Sequence, residues 1–178
     1  KKYGCIHNLL AAPTESLLEN EGIKENTATF FKVIHKLMQL EYKNVLDSEP
    51  IFYNYEKLEN YCKSILSGKA VEEFHVFYLD AQLRLIKDEL HSSGTIDWAA
   101  VYVREIVKHA LDFNARSIVL LHNHPSAYTS FSSQDIQITQ ELENALKKLD
   151  ISIYDHLLVS GNVIYSARNM HLLDTSLS

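Results

Sequence analysis

His122-Asn123-His124-Pro125-Ser126-Ala127-Tyr128-Thr129-Ser130-Phe131-Ser132-Ser133-Gln134-Asp135 is the stretch on which this sequence turns. Ser117 to Asn123, which leads into it, is apolar on both faces, the pattern of a central strand covered on both sides. Side chains at i and i+2 of a strand share a face, so His122 and His124 project together from its C-terminal end. Pro125 has no N–H to give a ladder and ends the strand. After a polar loop, a helical pattern runs from Ser133 to Leu149 with Ile138, Leu142, Ala145 and Leu149 in register, and Asp135 falls in its first turn. Two imidazoles from a strand end and a carboxylate from a helix start make three protein ligands for one zinc ion, with a fourth position left for water. Zinc brings the pKa of such a water down to ~7. Ser132 forms a helix capping box with Asp135, and its hydroxyl is also placed to serve a developing oxyanion.

Working back along the chain, Glu72 to Asp80 and Leu83 to Leu90 read as two strands joined by a tight turn at Asp80-Ala81-Gln82. Glu72 or Glu73, where the first strand begins, is the candidate general base for a metal-bound water. Asp97 caps a helix through about Asn114, with Val103, Val107, Ala110 and Leu111 on one side. Beyond the histidine stretch the chain closes with a hairpin, Ile151–Val159 and Asn162–Ser166, around Ser160-Gly161. Strands alternating with helices predict an α/β layer fold.

The first 50 residues read as a small helical segment. Asn26 is placed to cap a helix whose apolar face is Phe30, Phe31, Ile34, Leu37, Met38 and Leu40. Residues 43–53 lose that period, contain Pro50 and are expected to be a linker. A short helix follows, capped by Asn54, with Leu58, Tyr61, Cys62, Ile65 and Leu66 inward and Gly68 ending it.

Composition sets outer bounds. The chain has 178 residues, 46% of them apolar, enough for one domain with a real core and a small appendage. A formal net charge of −6 opposes the phosphate backbone of DNA. Cys5 and Cys62, far apart, give no cysteine zinc site and point to a reducing, cytoplasmic compartment. No stretch approaches the ~18 apolar residues of a membrane span. The first residue is Lys1 and not Met, so a preceding segment is expected.

An HxH pair is weak by itself in a chain with nine histidines. Requiring Pro, Ser and Asp at their offsets lowers the chance expectation to roughly 10⁻⁴ or below. The full pattern, H-x-H-P-x₆-S-x₂-D, resembles the signature of JAMM/MPN zinc metallopeptidases, and His122 through Asp135 satisfies every defined position. HNHPS followed by SxxD is similar, more closely, to the RadC family. Similar words recur in EEFHVFYLDAQLRLI, Ser93-Gly94-Thr95, Arg104-Glu105-Ile106 and Asp155-His156-Leu157, so the resemblance covers residues 54–178. It implies a JAB/MPN, cytidine-deaminase-like layered fold with a mixed sheet flanked by helices. It also selects Glu72 over Glu73 as the base, with Glu89 a weaker candidate. Residues 1–50 resemble a degenerate helix-hairpin-helix, in which Gly22-Ile23-Lys24 keeps one glycine where DNA-binding hairpins have Gly-x-Gly; the loss of a phosphate-binding N–H argues against DNA contact. Two departures stand out: Ala127 replaces a usual Gly and Phe131 a usual Pro, which changes the loop but no ligand. His75, His91, His109 and His156 are expected to be packing or surface residues.

What the resemblance implies is a JAMM-type zinc hydrolase acting on a peptide or isopeptide bond of a peptide or protein substrate. His122, His124 and Asp135 would hold the metal, Glu72 would move the proton, and Ser132 would steady the oxyanion. A second reading is a DNA repair or recombination accessory that binds nucleic acid. A third is a silent JAMM module that only binds partners. The acidic charge opposes the second and the complete motif opposes the third.

Overall fold

The computed structural model describes residues 2–4, 6–94, 100–125 and 128–173. Four helices come first: α1 (Ile6–Ala11), α2 (Thr14–Leu18), α3 (Glu25–Ser48) and α4 (Tyr55–Leu66). The hairpin β1 (Glu73–Leu79) and β2 (Leu85–Ser93) follows, then α5 (Ala100–Asp112), β3 (Ser117–Asn123), α6 (Ser133–Lys147), β4 (Ser152–Ser160) and β5 (Val163–Ser166). The strands form one mixed sheet in the order β2-β1-β3-β4-β5. Among the described strands only β3 and β4 run parallel, and α6 makes the crossover such a pair requires.

Alternation along β3 builds both halves of the core. Val119 and Leu121 face α3 and α4, packing with Leu46, Leu58, Cys62 and Leu66. Ile118 and Leu120 face α5 and α6, packing with Ile106, Ala110, Ile138, Leu142 and Leu146. The whole of β3 is buried, as its two-sided apolar sequence requires. This is the layered α/β fold expected from the sequence.

The expected linker at 43–53 is a correction. Helix α3 continues through Ser48 and breaks at Glu49, whose extended backbone (ψ 148°) is what a following Pro50 demands. The apolar face expected of α3 also differs, since Phe30, Leu37 and Leu40 are 60%, 60% and 45% exposed. The inward stripe is Ala28, Phe31, His35, Gln39, Tyr42 and Leu46, at helical spacing but part polar. Gln39 spends its amide on the Ser64 carbonyl, 2.6 Å away, so a polar residue satisfies this face.

Smaller shifts have local causes. Strand β2 starts later than expected because Leu83 (φ +60°) belongs to the turn, where Asp80 Oδ1 accepts the N–H groups of Gln82 and Arg84. In α5, Ile106 is buried and Leu111 is half exposed; in α6, Leu146 rather than Leu149 reaches the core. Asp97 and Thr95, the expected helix cap and the end of the Ser-Gly-Thr word, lie outside the described residues, as do Ser126 and Ala127.

Candidate metal centre

Three elements deliver the site. Strand β3 ends at Asn123, which leaves His122 on its last turn of pleat and His124 just beyond. Helix α6 brings Asp135 from its first turn. Glu72 stands immediately before β1. One ligand atom from each of Glu72, His122, His124 and Asp135 lies within 4.8 Å of all the others.

The inner three form a nearly equilateral triangle. His122 Nε2 and His124 Nε2 are 3.2 Å apart, and each is 3.4 Å from Asp135 Oδ2. Donors bound tetrahedrally to one zinc at ~2.0–2.1 Å sit roughly 3.3–3.4 Å from one another. The triangle therefore has the dimensions of three corners of such a site. His122 and Asp135 side chains are 0% and 2% exposed, and His124, at 12%, stands at the mouth.

The hydrogen-bond network orients the lone pairs. Thr139 Oγ1 donates to the Asp135 carbonyl, so it must accept from His156 Nδ1, 2.7 Å away. His156 is fully buried and held neutral, because burial and the neighbouring His122 push its pKa well down. Its Nε2 is then an acceptor, and His122 Nδ1–H donates to it across 2.9 Å. That leaves His122 Nε2 bare and pointed into the triangle. His124 Nδ1 donates to the Tyr128 carbonyl at 3.3 Å, which bares its Nε2 in the same way. Two bare nitrogens and a carboxylate oxygen converge on one point and demand a cation.

A proton can meet that demand. The Asp135 carboxylate beside it, outweighing burial, raises the pKa of His124. Burial by itself would raise Asp135, but both imidazoles and the Ser132 N–H overcome it and hold the carboxyl well below the usual range. Burial pushes Glu72 up, with the two imidazoles opposing and Asp135 adding to the shift. A half-buried carboxylate with elevated basicity is suited to taking a proton.

Glu73, the alternative base, points elsewhere, pairing with Lys69 at 2.9 Å and His75 at 3.2 Å. Glu89 lies against His109 and His91. Ser132 is the N-cap of α6: its Oγ accepts Asp135 N–H at 3.1 Å, while Asp135 Oδ2 accepts Ser132 N–H at 2.6 Å. The capping hydroxyl keeps its own proton for a further acceptor.

Sequence reasoning missed two residues that shape the site. Asn123 sends its amide across to β1, where its Oδ1 accepts Glu73 N–H at 2.8 Å and its Nδ2 donates to the Val71 carbonyl at 3.1 Å. These bonds bracket Glu72 and set which face it takes. An amide between two strand-end histidines was the available signal. His156, read as packing, is the acceptor that orients His122; nothing in its sequence position shows this. Phe131, the departure at a usual Pro, packs its ring on His122 and His156, at centroid distances of 5.8 and 5.0 Å.

The family model of the RadC-like JAB domain matches residues 52–172. A UPF0758 protein from Ruegeria pomeroyi is 33% identical over 166 residues, covering 93% of this chain and 74% of that protein.

Proposed function

The chain belongs to the RadC-like JAB domain family, and on that premise we propose that it is a zinc-dependent hydrolase of peptide or isopeptide bonds. The observation that carries this reading is the triangle of His122, His124 and Asp135 with edges of 3.2, 3.4 and 3.4 Å and Glu72 beside it. A donor set of two imidazoles and one carboxylate, with the imidazole lone pairs aimed inward, fits zinc and leaves a position open. Bound zinc supplies Lewis acidity and a water whose pKa lies near ~7.

The residues divide the remaining work. Glu72 takes the proton of the attacking water and returns it to the amine nitrogen as the C–N bond breaks. Ser132 O–H, free as a donor, stabilises the oxyanion that forms as the carbonyl is attacked. Phe74 and Phe131 flank the His122 ring, at centroid distances of 6.4 and 5.8 Å, and give it apolar neighbours.

The test is zinc content and turnover on single variants. Glu72→Gln should keep its zinc and lose on the order of 10²–10⁴ in rate against a peptide or isopeptide substrate. His122→Ala should lose the zinc of this centre while the fold survives. If Glu72→Gln instead loses zinc, Glu72 is a ligand; if it keeps full activity, the assignment of the base is wrong.

A further inference from the structure

Glu89 and His91, two apart on β2, face the same side of the sheet, and His109 meets them from α5. We propose that Glu89, His91 and His109 form a second site for a transition-metal ion of the zinc class, clamping the edge strand β2 to helix α5. One ligand atom from each lies within 4.8 Å of the other two. Glu89 Oε2 is 2.7 Å from His109 Nδ1 and 3.7 Å from His91 Nε2, and the two imidazole centroids are 5.7 Å apart. The two carboxylate–imidazole spacings straddle the roughly 3.3–3.4 Å between donors on one tetrahedral zinc, so side-chain rotations would complete the site.

The surroundings favour a metal over a simple Glu–His pair. The His91 side chain is 5% exposed and Glu89 22%, whereas His109 is 35% exposed, which leaves an approach from solvent and room for a water ligand. Burial disfavours a proton on His91. Its Nε2 rests 2.9 Å from the Tyr78 hydroxyl, the contact an incoming cation replaces. Glu105, one turn before His109 on α5, adds negative charge near His91. Two imidazoles with one carboxylate select zinc, cobalt, nickel or copper over magnesium or calcium.

This site is separate from the His122 centre. His122 pairs with Phe74 on β1, and His91 sits in the bulge of β2 beside Phe74. Two strand spacings, roughly 10 Å, therefore separate the clusters, far beyond the ~4 Å of a two-metal catalytic site. The clamp is structural in position: just past β2, Gly94 N–H donates to the Glu72 carbonyl at 2.9 Å. Fastening β2 to α5 thus steadies the backbone beside Glu72.

Zinc titration of the chelator-stripped full chain, with a competing chromophoric chelator, tests the site. Wild-type protein should bind about two zinc ions per chain, and Glu89→Gln, His109→Gln and His122→Ala about one each. The His122→Ala/His109→Gln double variant should bind none. Cobalt bound to His122→Ala should show a visible absorption band that His109→Gln removes. Circular dichroism on each variant separates ligand loss from unfolding, and Glu89→Gln keeps a hydrogen bond to His109 where a histidine variant does not. A second equivalent that survives in folded Glu89→Gln and His109→Gln overturns the proposal, as does a folded His122→Ala protein that binds no zinc. The outcomes also keep the two sites distinct: if His109→Gln loses zinc and His122→Ala does not, this site stands and the hydrolase reading falls.

Discussion

At the candidate His122 centre the same lone pairs are offered to a proton or to a metal. In the metal-free protein, the Asp135 carboxylate raises the pKa of His124 above the ~6.5 of a free imidazole. A raised folded pKa means that this pairing stabilises the fold fully below the unfolded value and loses its effect as pH climbs through the folded one. Zinc runs the other way, because it needs the same Nε2 unprotonated. Zinc affinity should therefore fall as pH drops, beginning at a higher pH than an ordinary histidine ligand would give. NMR titration of metal-free protein should show the His124 inflection above ~6.5, and Asp135→Asn should bring it down. No change on that substitution would remove Asp135 as the cause. His156 acts one bond further out. His156→Phe keeps the ring but deletes the acceptor of His122 Nδ1–H, and it should weaken zinc binding by roughly 10–100-fold with the metal stoichiometry unchanged at saturation. Unaltered affinity would make His156 a packing residue after all. The residues of the triangle were legible in the sequence because their spacing is local. His156 was not, since its partner is 34 positions away on a neighbouring strand.

Between residue and fold stand the short elements that aim side chains. The start of α6 does two things at once: its capping box fastens the helix and holds Asp135 Oδ2 toward the imidazoles. Ser132→Ala should cost ~1 kcal/mol of stability through the lost cap. If the hydroxyl also serves the oxyanion, the same variant should keep its zinc and lose on the order of 10² in rate per folded molecule. Melting temperature and turnover measured together separate cap from donor. Asn123 aims the other side of the site. Asn123→Leu leaves the Glu73 N–H and the Val71 carbonyl without their partner and should cost ~1–3 kcal/mol. It should also lower turnover while zinc stays bound, because Glu72 loses the bracket that directs it. Full activity would show that β1 places Glu72 unaided. The existence and type of these elements followed from periodicity, and β3 matched residue for residue. The inward face of α3 changed where Gln39 bonds to the Ser64 carbonyl, and the start of β2 moved where Asp80 closes the β1–β2 turn.

Taken whole, the molecule is an acidic α/β layer fold with a site at one strand end. With a net charge of −6, duplex DNA should bind only weakly near physiological salt. Gly22, in the left-handed region at φ +86°, turns the chain between α2 and α3, and no second glycine follows at the expected spacing to complete a phosphate-binding hairpin. Titration of a labelled duplex at two salt concentrations checks this; sub-micromolar binding that collapses with salt would favour the nucleic-acid role. Zinc that binds only the folded chain should raise the melting temperature by an amount that grows with the logarithm of its concentration. The primary sequence by itself determined the α/β class, the central strand and the residues His122, His124 and Asp135 of the candidate site. Each depends on spacing of two or three residues, which strand and helix geometry translate directly into shared faces. Tertiary structure brought Glu72 to the histidines, as the family resemblance implied, and alone decided that His156 orients His122 and that Glu89, His91 and His109 meet. Those contacts join strands and helices distant in sequence, where sheet register and helix docking, not local periodicity, set which side chains touch.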